Sequence, residues 1–363
     1  MDKRDIYLWL LSLGGIGNKT IEKIENSVEK IEDLIDYPDK DILKIENLNL
    51  NIKQNIVKYK SRSYIDDIKN KLHRYNVGYI SKSDDLYPYE LKHIYNAPSI
   101  LFYKGDITQL KSNLSLAMVG SRKPTSYGIW CAQNISEKLS NYGINIISGM
   151  AMGIDEHSHK GCLRGNSKTI AVLGSGVENP LPKSNMKLAE HILEDGGLLI
   201  SEYNVEHPVS AGNYPARNRI ISGLSKGVIV VEAAKKSGAL ITVDFALEQG
   251  KNVFAIPGNI NSDMSKGCHR IIKEGAKLVD DIEDIINEYN LKNFNKIPIN
   301  SENKPLKGIQ QSIFDIIKEK GSLHIDKICD YTNMNIQDIN CILNTLEIEG
   351  MVVEMRNKIY SVK

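Results

Sequence analysis

The chain has 363 residues, of which 41 % are hydrophobic, so it can bury the core of one large domain with smaller units attached. Lysine and arginine number 46 and aspartate and glutamate 45, which means that any binding site for a polyanion must be a local feature. Five cysteines without a CxxC pair indicate reduced thiols. No apolar run approaches the roughly 20 residues of a membrane span, and we expect a cytoplasmic protein with no membrane partner.

Residues 1–75 show a helical period and no strand pattern, which predicts a small all-helical, SAM/helix-hairpin-helix-like domain. The start, MDKRDIYLWLLSLGGIG, has the basic head and apolar stretch of a signal peptide. Asp2 and Asp5 in that head, and the lack of a small-residue cleavage site, favour a folded helix instead. The Gly-Ile-Gly turn at residues 15–17 has two open interpretations, a phosphate-facing hairpin turn or a purely structural one.

Residues 76–288 alternate short apolar segments with helix-length segments. The apolar segments are LAMVG, INIISG, TIAVLG, LLISEY, VIVVEA and NVFAIPG. This alternation predicts an α/β fold in which helices cover both faces of a parallel sheet. Ligands of such sheets bind beyond the carboxyl ends of the strands, where loops and helix N-termini present free backbone N–H groups. Candidate site residues should therefore follow the apolar segments.

The rest of the chain is predicted to be a linker and a third domain. Residues 289–306 are rich in Asn, Lys and Pro without periodicity, as in a linker. Residues 307–363 have the order of a winged-helix domain, three helices followed by two strands. They carry seven Lys and Arg against eight Asp and Glu, and the third helix, IQDINCILNTLEIEG, has no basic residue. This charge disfavours binding in a DNA groove and favours a protein-contact or architectural role.

Two predicted loops carry small residues directly after a strand. Gly120 ends the segment LAMVG and is followed by Ser121 and Arg122, a turn whose amides can hold a phosphate while the guanidinium adds a charge-assisted hydrogen bond. Ser148 and Gly149 follow the next strand and allow a ligand to come close to the backbone. Close packing of each turn against the sheet is the structural alternative.

The loop after the third apolar segment does not support a nucleotide cofactor. Gly174-x-Gly176 begins a dinucleotide-binding pattern, but Asn179 stands where the third glycine is required, and the chain has no P-loop. We therefore predict no cofactor. Lys183 follows in the same loop, again at the carboxyl end of a strand, where it either contacts a phosphate or stays solvated.

Two arginines lie side by side in NYPARNRIISG, directly before an apolar helix. Arg217 and Arg219 flank Asn218 on what the pattern predicts to be a loop. Together with Arg122 and Lys183 they would place four cations on one rim of the sheet. Such a rim is typical of a phosphate track.

Neighbouring polar and aromatic residues favour a single strand on this rim. Asn213 can donate hydrogen bonds and Tyr214 can stack on a base, which suits a single-stranded backbone better than a compact nucleotide. The open alternative is structural, because either arginine could pair with Glu202 or Glu232 and brace the loop.

Metal and catalytic sites have less support. His157, His159 and Cys162 are close in sequence, but no fourth ligand is near and residues 157 and 159 would point apart on a helix. We find no nucleophile paired with a base and no acidic metal cluster. We predict structural histidines, no metal and no catalytic residue.

The sequences of these loops resemble those of a known family. The middle section resembles the DNA-processing protein A family, also called DprA or Smf, through YPYELKHIYNAPSILFYKGD, VGSRKPTSYG, ISGMAMGIDEHSH, TIAVLGSGVENPLPKSN, NYPARNRIISGLSKGVIVVEA, SGALIT and VFAIPG. The resemblance covers about residues 78–285 in order. It implies an extended Rossmann-like domain preceded by the helical domain and followed by the winged helix.

The resemblance also implies a function. Members of the family are non-enzymatic homodimers that bind and protect incoming single-stranded DNA during natural transformation and help to load the RecA recombinase. The family's DNA contacts fall on Arg122, Lys183 and the stretch Arg217-Asn218-Arg219. Leu181 and Met152 depart from the family pattern, which has a tyrosine and commonly an arginine at these two positions.

Two other functions remain as alternatives. One is a nucleoside-monophosphate hydrolase of the lysine-decarboxylase-like group, whose PGGxGTxxE motif corresponds here to KKSGALITVDFALE without the paired glycines. The other is a duplex-binding regulator that uses the winged helix, which the acidic third helix disfavours.

Overall fold

The structure, a computed structural model, describes residues 1–111, 114–291, 308–348, 351–355 and 358–362. These residues form two compact units, one within residues 1–299 and one within residues 300–363. In the described ranges no helix is both long enough and apolar enough to cross a bilayer. The predicted linker at 289–306 lies, from residue 292 onward, outside the described residues.

The chain begins with a folded helix, as Asp2 and Asp5 indicate. Asp2 is the N-cap of this helix, and its carboxylate accepts a hydrogen bond from the backbone N–H of Arg4 at 3.2 Å. An acidic N-cap satisfies one of the free N–H groups of the first turn, which explains an acid in an otherwise basic head. The N-terminal helices are α1 (Lys3–Ser12), α2 (Asn18–Ser27), α3 (Asp39–Lys44), α4 (Leu50–Lys58) and α5 (Arg62–Arg74), with a 3₁₀ helix at Ile31–Asp36.

A nine-stranded sheet forms the centre of the first unit, in the order β1-β2-β6-β5-β4-β3-β7-β8-β9. The strands from β6 to β9 in this order are parallel, and β2 pairs antiparallel with both β1 and β6. The strands are β1 (Gly78–Ser81), β2 (Ile100–Gly105), β3 (Ser115–Val119), β4 (Asn145–Ser148), β5 (Thr169–Val172), β6 (Leu198–Ser201), β7 (Gly227–Val230), β8 (Asn252–Ala255) and β9 (Lys277–Leu278). The predicted parallel sheet is confirmed.

Helices cover both faces of this sheet. Side chains alternate along β3, so that Leu116 and Met118 pack against α7 and α8 on one face, while Ala117 and Val119 face α10 and α11 on the other. Longer helices of this region are α7 (Ser126–Asn141), α8 (Ile154–Cys162), α9 (Met186–Glu194), α10 (Asn213–Gly223), α11 (Ala239–Glu248) and α12 (Lys266–Lys273). Short ones are α6 (Tyr89–Lys92) and α13 (Glu283–Glu288), with 3₁₀ turns at Ile107–Lys111, Lys183–Asn185 and Asp263–Ser265.

The N-terminal helices share an apolar core with the sheet. Trp9 of α1 and Phe102 of β2 are both fully buried in one cluster that also includes Leu199 of β6. The boundary at residue 75 therefore separates two kinds of secondary structure without separating two cores. The predicted domain boundary between residues 1–75 and 76–288 stays a prediction.

The strand order fixes the position of a crevice. β3 has β4 on one side and β7 on the other, so the chain leaves β3 toward one half of the sheet and later returns to its other side. At such a switch point the loops that follow the two central strands separate and leave a crevice beyond their carboxyl ends. Here these loops begin at Gly120 and Val231.

In its described residues, the second unit contains three helices and a small antiparallel sheet of order β10-β12-β11. The three helices and two final strands occur in the predicted order, with one further strand of two residues, β10, that pairs with β12. The elements are α14 (Ile309–Lys320), β10 (Leu323–His324), α15 (Ile325–Thr332), α16 (Ile336–Ile348), β11 (Val352–Met355) and β12 (Ile359–Val362).

The shared core predicts that the N-terminal helices unfold together with the sheet. Phe102→Ala should lower the free energy of unfolding by about 3–5 kcal/mol. Since the chain has two tryptophans, a Trp130→Phe background leaves Trp9 as the only indole emitter. In that background the Trp9 fluorescence and far-UV circular dichroism transitions in urea should shift together. A Trp9 midpoint that Phe102→Ala does not move would contradict the shared core.

Candidate functional site

A cleft of about 570 Å³ lies at the switch point. Its walls are the turn after β3, the first half of α10 and the segment that leads from β7 into α11. Residues from all three walls point into it, including Ser121, Arg122, Tyr214, Asn218 and Thr242. The cleft is therefore where the strand order predicts a ligand site.

The turn after β3 is held tightly against the loop after β7. The Ser121 N–H donates to the carbonyl of Glu232 at 2.7 Å. A Cβ on Gly120 would lie 2.8 Å from that same carbonyl oxygen and 2.7 Å from Cγ1 of Ile154. Glycine is thus required at position 120 by packing, which is the structural alternative for this turn.

Glu232 fixes the start of α7 and braces neither arginine. Its Oε2 accepts from the Thr125 N–H at 2.8 Å and its Oε1 from the Thr125 hydroxyl at 2.6 Å. The Thr125 Oγ1 in turn accepts from the Gly128 N–H at 3.2 Å, which makes Thr125 the N-cap of α7. Both oxygens of this buried carboxylate therefore accept hydrogen bonds from Thr125, which follows the turn that presents Arg122.

Arg122 is exposed at the mouth of the cleft. Its guanidinium carbon lies 5.8 Å from the centroid of the half-buried Tyr214 ring, within the range of a cation–π contact. Tyr214 in turn lies against the backbone of Gly174, where a Cβ would come within 2.9 Å of the ring. Gly174, which looked like part of a nucleotide-binding pattern, makes room for this ring.

The two arginines of α10 do not lie on a loop, and that part of the prediction was wrong. Both belong to the helix Asn213–Gly223. Residues two positions apart on a helix point to opposite sides, so Arg217 and Arg219 cannot share one exposed rim. The structure buries both, leaving 3 % of Arg217 and 4 % of Arg219 exposed.

Arg217 forms part of the floor of the cleft. Its Nη1 donates to the carbonyl of Gly149 at 2.7 Å and also to the carbonyl of Val172. Burial lowers the pKa of Arg217 to about 10, and the nearby carboxylate of Asp155 opposes this shift. Because that pKa is well above neutrality, the cleft has a fixed positive charge beneath it at physiological pH.

Asp155 is the acidic partner of Arg217 in this floor. Its Oδ2 accepts from the N–H groups of Gly149 at 3.2 Å and Ala151 at 3.4 Å. Burial raises the pKa of Asp155, and the Arg217 charge is the largest effect that lowers it. A Cβ on Gly149 would lie 2.5 Å from Nη2 of Arg217, so a glycine is needed for the guanidinium to pass.

Arg219 makes the structural pair that the sequence left as an alternative. Its Nη1 and Nη2 donate to the two carboxylate oxygens of Glu202 at 2.7 and 2.6 Å. Its Nε donates to the carbonyl of Asn96 at 3.1 Å, and Glu202 also accepts from the side chain of Asn18 at 3.1 Å. Arg219 therefore connects α10 to the end of β6, to the segment before β2 and to the N-terminal helices.

The other predicted residues divide into cleft residues and supporting residues. Ser148 and Asn213 are buried, and they donate to the carbonyls of Met118 at 2.6 Å and Gly174 at 3.1 Å. Lys183 is exposed at the start of its 3₁₀ turn, at the same carboxyl-end rim, but it does not line the cleft. The cleft brings together five of the ten predicted residues, namely Gly120, Ser121, Arg122, Arg217 and Asn218.

Sequence reasoning missed one wall of the cleft. Ala234, Ser237 and Gly238 line it, and the loop between them carries the exposed Lys235 and Lys236. Lys123, next to Arg122, lines it as well. The signal was present in VVEAAKKSGALIT, where two lysines and a Ser-Gly pair follow a strand and precede a helix, the criterion that selected the other loops.

The histidines near α8 make structural contacts. His159 is fully buried with Nδ1 2.6 Å from the hydroxyl of Thr169, and burial lowers its pKa to about 3. Nδ1 of His157 is 2.9 Å from the side-chain amide of Gln133. Within the ranges that the structure describes, no three His, Cys, Asp or Glu side chains are grouped to hold a metal ion.

The Arg219–Glu202 pair predicts a strong effect on stability. Arg219→Ala leaves a carboxylate buried without its cation and should lower the free energy of unfolding by about 3–5 kcal/mol. The exposed Arg122 is the matched control, and Arg122→Ala should change the free energy of unfolding by no more than about 0.5 kcal/mol. Urea unfolding of the three proteins makes the comparison. Equal stability of the two variants would show that Arg219 does not brace α10.

Comparison with known proteins identifies a family and several relatives that this chain resembles. The model of the family described as DNA recombination-mediator protein A matches residues 78–290. Protein Smf of Escherichia coli strain K12 is 39 % identical over 282 residues, which are 78 % of this chain and 74 % of that protein. The DNA processing protein DprA of Streptococcus pneumoniae is 45 % identical over 206 residues, 57 % of this chain and 72 % of that protein.

Solved structures agree with the sequence matches. The X-ray structure of DNA processing protein A from Streptococcus pneumoniae has a TM-score of 0.69 at 35 % identity and covers 79 % of this chain and 99 % of that chain. DNA processing protein A from Helicobacter pylori, whose structure is described with a unique single-stranded DNA binding mode, has a TM-score of 0.54 at 26 % identity over 59 % of this chain and 95 % of that chain. The fold is thus the Rossmann-like fold of DprA, the suggested resemblance is confirmed, and the chain belongs to the DNA recombination-mediator protein A family.

Proposed function

We propose that this protein binds single-stranded DNA in the cleft at the switch point of the sheet. The observation that carries the proposal is the exposed Arg122 beside the Tyr214 ring, at the mouth of a cleft that has the buried charge of Arg217 beneath it. An accessible cation and an aromatic ring provide a phosphate contact and a base-stacking surface next to each other. The Helicobacter pylori relative described with a single-stranded DNA binding mode supports the same assignment.

The predicted site residues take different roles in this proposal. Arg122 and Lys123 contact the backbone phosphates at the mouth of the cleft, and Lys183 contacts a phosphate further along the rim. Tyr214 stacks on a base. Arg217 acts through its charge and by fixing α10, since its Nη1 donates to two backbone carbonyls and its Nε to the side-chain oxygen of Asn218.

The remaining predicted residues position the site without touching DNA. Ser148 and Asn213 are buried and donate to backbone carbonyls of Met118 and Gly174, and the buried Gly149 contacts the side chains of Asp155 and Arg217. Arg219 braces α10 through Glu202. Gly120 and Ser121 form the turn that presents Arg122, and the side-chain oxygen of Asn218, on the wall of the cleft, accepts a hydrogen bond from Nε of Arg217 at 3.2 Å.

A single strand fits this site better than a duplex. The Tyr214 ring can stack only on a base that is not already stacked and paired on both faces. The exposed cations Arg122, Lys123 and Lys183 belong to two loops of one rim, whereas the chain as a whole has a net charge of +1. Binding should therefore come from this rim and not from a general attraction to DNA.

We propose that the protein only binds its ligand and has no active site of its own. The two buried carboxylates nearest the cleft are both engaged, Asp155 with two backbone N–H groups and Glu232 with Thr125. Neither is free to act as the nucleophile or general acid that the nucleoside-monophosphate hydrolase alternative needs. Release of free base from a nucleotide by the purified protein would reverse this choice.

Further parts of the proposed function come from the family. We propose that the protein acts in the cytoplasm as a homodimer, protects incoming single strands during natural transformation and helps to load RecA on them. We assign the second unit as a winged helix with a protein-contact role, because its third helix has no Lys or Arg and would be repelled by phosphates.

The salt dependence of binding tests the cleft directly. For single strands, log K should fall with log salt by about 0.7 for each phosphate contacted. Arg122→Ala and Lys183→Ala should each weaken binding and reduce this slope by about 0.7, because each removes one phosphate contact. Fluorescence anisotropy of labelled single-stranded and duplex oligonucleotides over a salt series measures both effects.

Arg164→Ala is the matched control for this experiment. Arg164 is exposed just after the end of α8, at the opposite end of the sheet from the cleft, and its removal should leave affinity and slope unchanged. Preference for duplex, or variants of Arg122 and Lys183 that behave like Arg164→Ala, would refute the proposed site.

A further inference from the structure

A second groove, of about 390 Å³, lies on the sheet face that α6, α10 and α11 cover. Four aromatic or imidazole rings line it, and we call it the aromatic groove. Two of the rings belong to exposed tyrosines. Its main lining residues are Tyr89, His93, Tyr95, Phe245, Glu248 and Lys251.

The tyrosines of the aromatic groove are unusually accessible. Tyr89 is 72 % exposed and Tyr95 71 %, more than any other tyrosine in the part of the chain that the structure describes. The rings of Tyr89 and His93 have centroids 4.5 Å apart, and Nζ of Lys19 lies 4.2 Å from the centroid of the Tyr95 ring. Grouped exposed rings of this kind mark a binding surface.

The aromatic groove and the cleft lie along the same side of α11. Gly238, just before the helix, and Ile241 and Thr242 line the cleft, whereas Phe245 and Glu248 line the groove. These spacings of three and four residues place all five on one helical face. Since α11 has 10 residues and a helix rises 1.5 Å per residue, the two sites are separated by only about 15 Å.

The charges of the aromatic groove favour contacts with bases over contacts with phosphates. Lys226 beside it is already engaged with Glu90, the groove itself carries Glu248 as well as Lys251, and Nζ of Lys19 donates to the Tyr95 hydroxyl. Exposed rings with this mixed set of charges are suited to stacking on bases, which is tolerant of sequence. A strand leaving the cleft along α11 meets these rings next.

We propose that the aromatic groove stacks the bases of the strand segment that leaves the cleft, so that the binding site for a single strand continues along the outer face of α11. This inference rests on the proposed function. It adds the stacking contacts of the groove to the phosphate contacts and the Tyr214 stacking contact of the cleft.

Binding of oligothymidines of two lengths to the full-length protein tests this inference. One of about 4 nucleotides can occupy the cleft alone, and one of about 16 nucleotides can also reach the groove. The double substitution Tyr89→Ala with Tyr95→Ala should weaken binding of the longer oligonucleotide by about fivefold or more and leave the shorter one unaffected. The salt slope should stay unchanged, because a tyrosine neutralises no phosphate.

Two further variants make the result specific to the rings. Tyr89→Phe with Tyr95→Phe keeps both rings and should bind the longer oligonucleotide like the wild type. Trp130, 61 % exposed on α7, lies on the other face of the sheet, and Trp130→Ala should have no effect. All variants should melt at the wild-type temperature, since the substituted side chains are exposed.

The outcomes separate this inference from the proposed function. If the alanine double variant binds the longer oligonucleotide normally while Arg122→Ala still weakens both lengths and Lys183→Ala the longer one, the groove has another occupant and the inference is wrong, but the cleft stands. If the Arg122 and Lys183 variants are silent as well, the proposed function itself fails. A loss in the phenylalanine variant equal to that in the alanine variant would also overturn the stacking role.

Discussion

The guanidinium of Arg217 holds the candidate site together. It reaches from α10 to the carbonyls of Gly149 and Val172, at the ends of two neighbouring strands, with the carboxylate of Asp155 beside it. A buried charge of this kind is stabilised by the acceptors around it, here two backbone carbonyls, the side-chain oxygen of Asn218 and the nearby carboxylate. The consequence is that α10 cannot move away from the strand ends, and Tyr214 at its start stays beside Arg122.

A second buried pair extends this constraint to the rest of the unit. Arg219 and Glu202 bind each other through two short hydrogen bonds, and Asn96 and Asn18 add contacts from two other segments. Because Asn18 begins α2, the N-terminal helices are tied to the same point on the sheet. The two arginines thus position the cleft from opposite sides of one helix, while the exposed cations around it remain available to a ligand.

The sequence predicted much of this fold, because alternation of strands and helices determines where loops converge. Ser121 and Arg122 could be placed at the cleft by the rule that ligands of parallel sheets lie beyond the carboxyl ends of strands. For Arg219 the pair with Glu202 stayed one of two interpretations, since the choice depends on how close a carboxylate that follows a different strand comes to α10. The bounds of α10 decided whether the two arginines share a surface, and helix bounds are the least certain part of a prediction from one sequence. Glu232 and Gly174 show the same limit, because their partners Thr125 and Tyr214 are distant in the chain.

Photocrosslinking is the most direct test of where the single strand lies. A bromodeoxyuridine-substituted oligonucleotide is irradiated with the full-length protein, and the crosslinked peptides are identified by mass spectrometry. We expect crosslinks to the peptide that contains Tyr214, and their loss when Tyr214→Ala is combined with Arg122→Ala. Crosslinks confined to residues 308–362, or unchanged in the double variant, would contradict binding in the cleft.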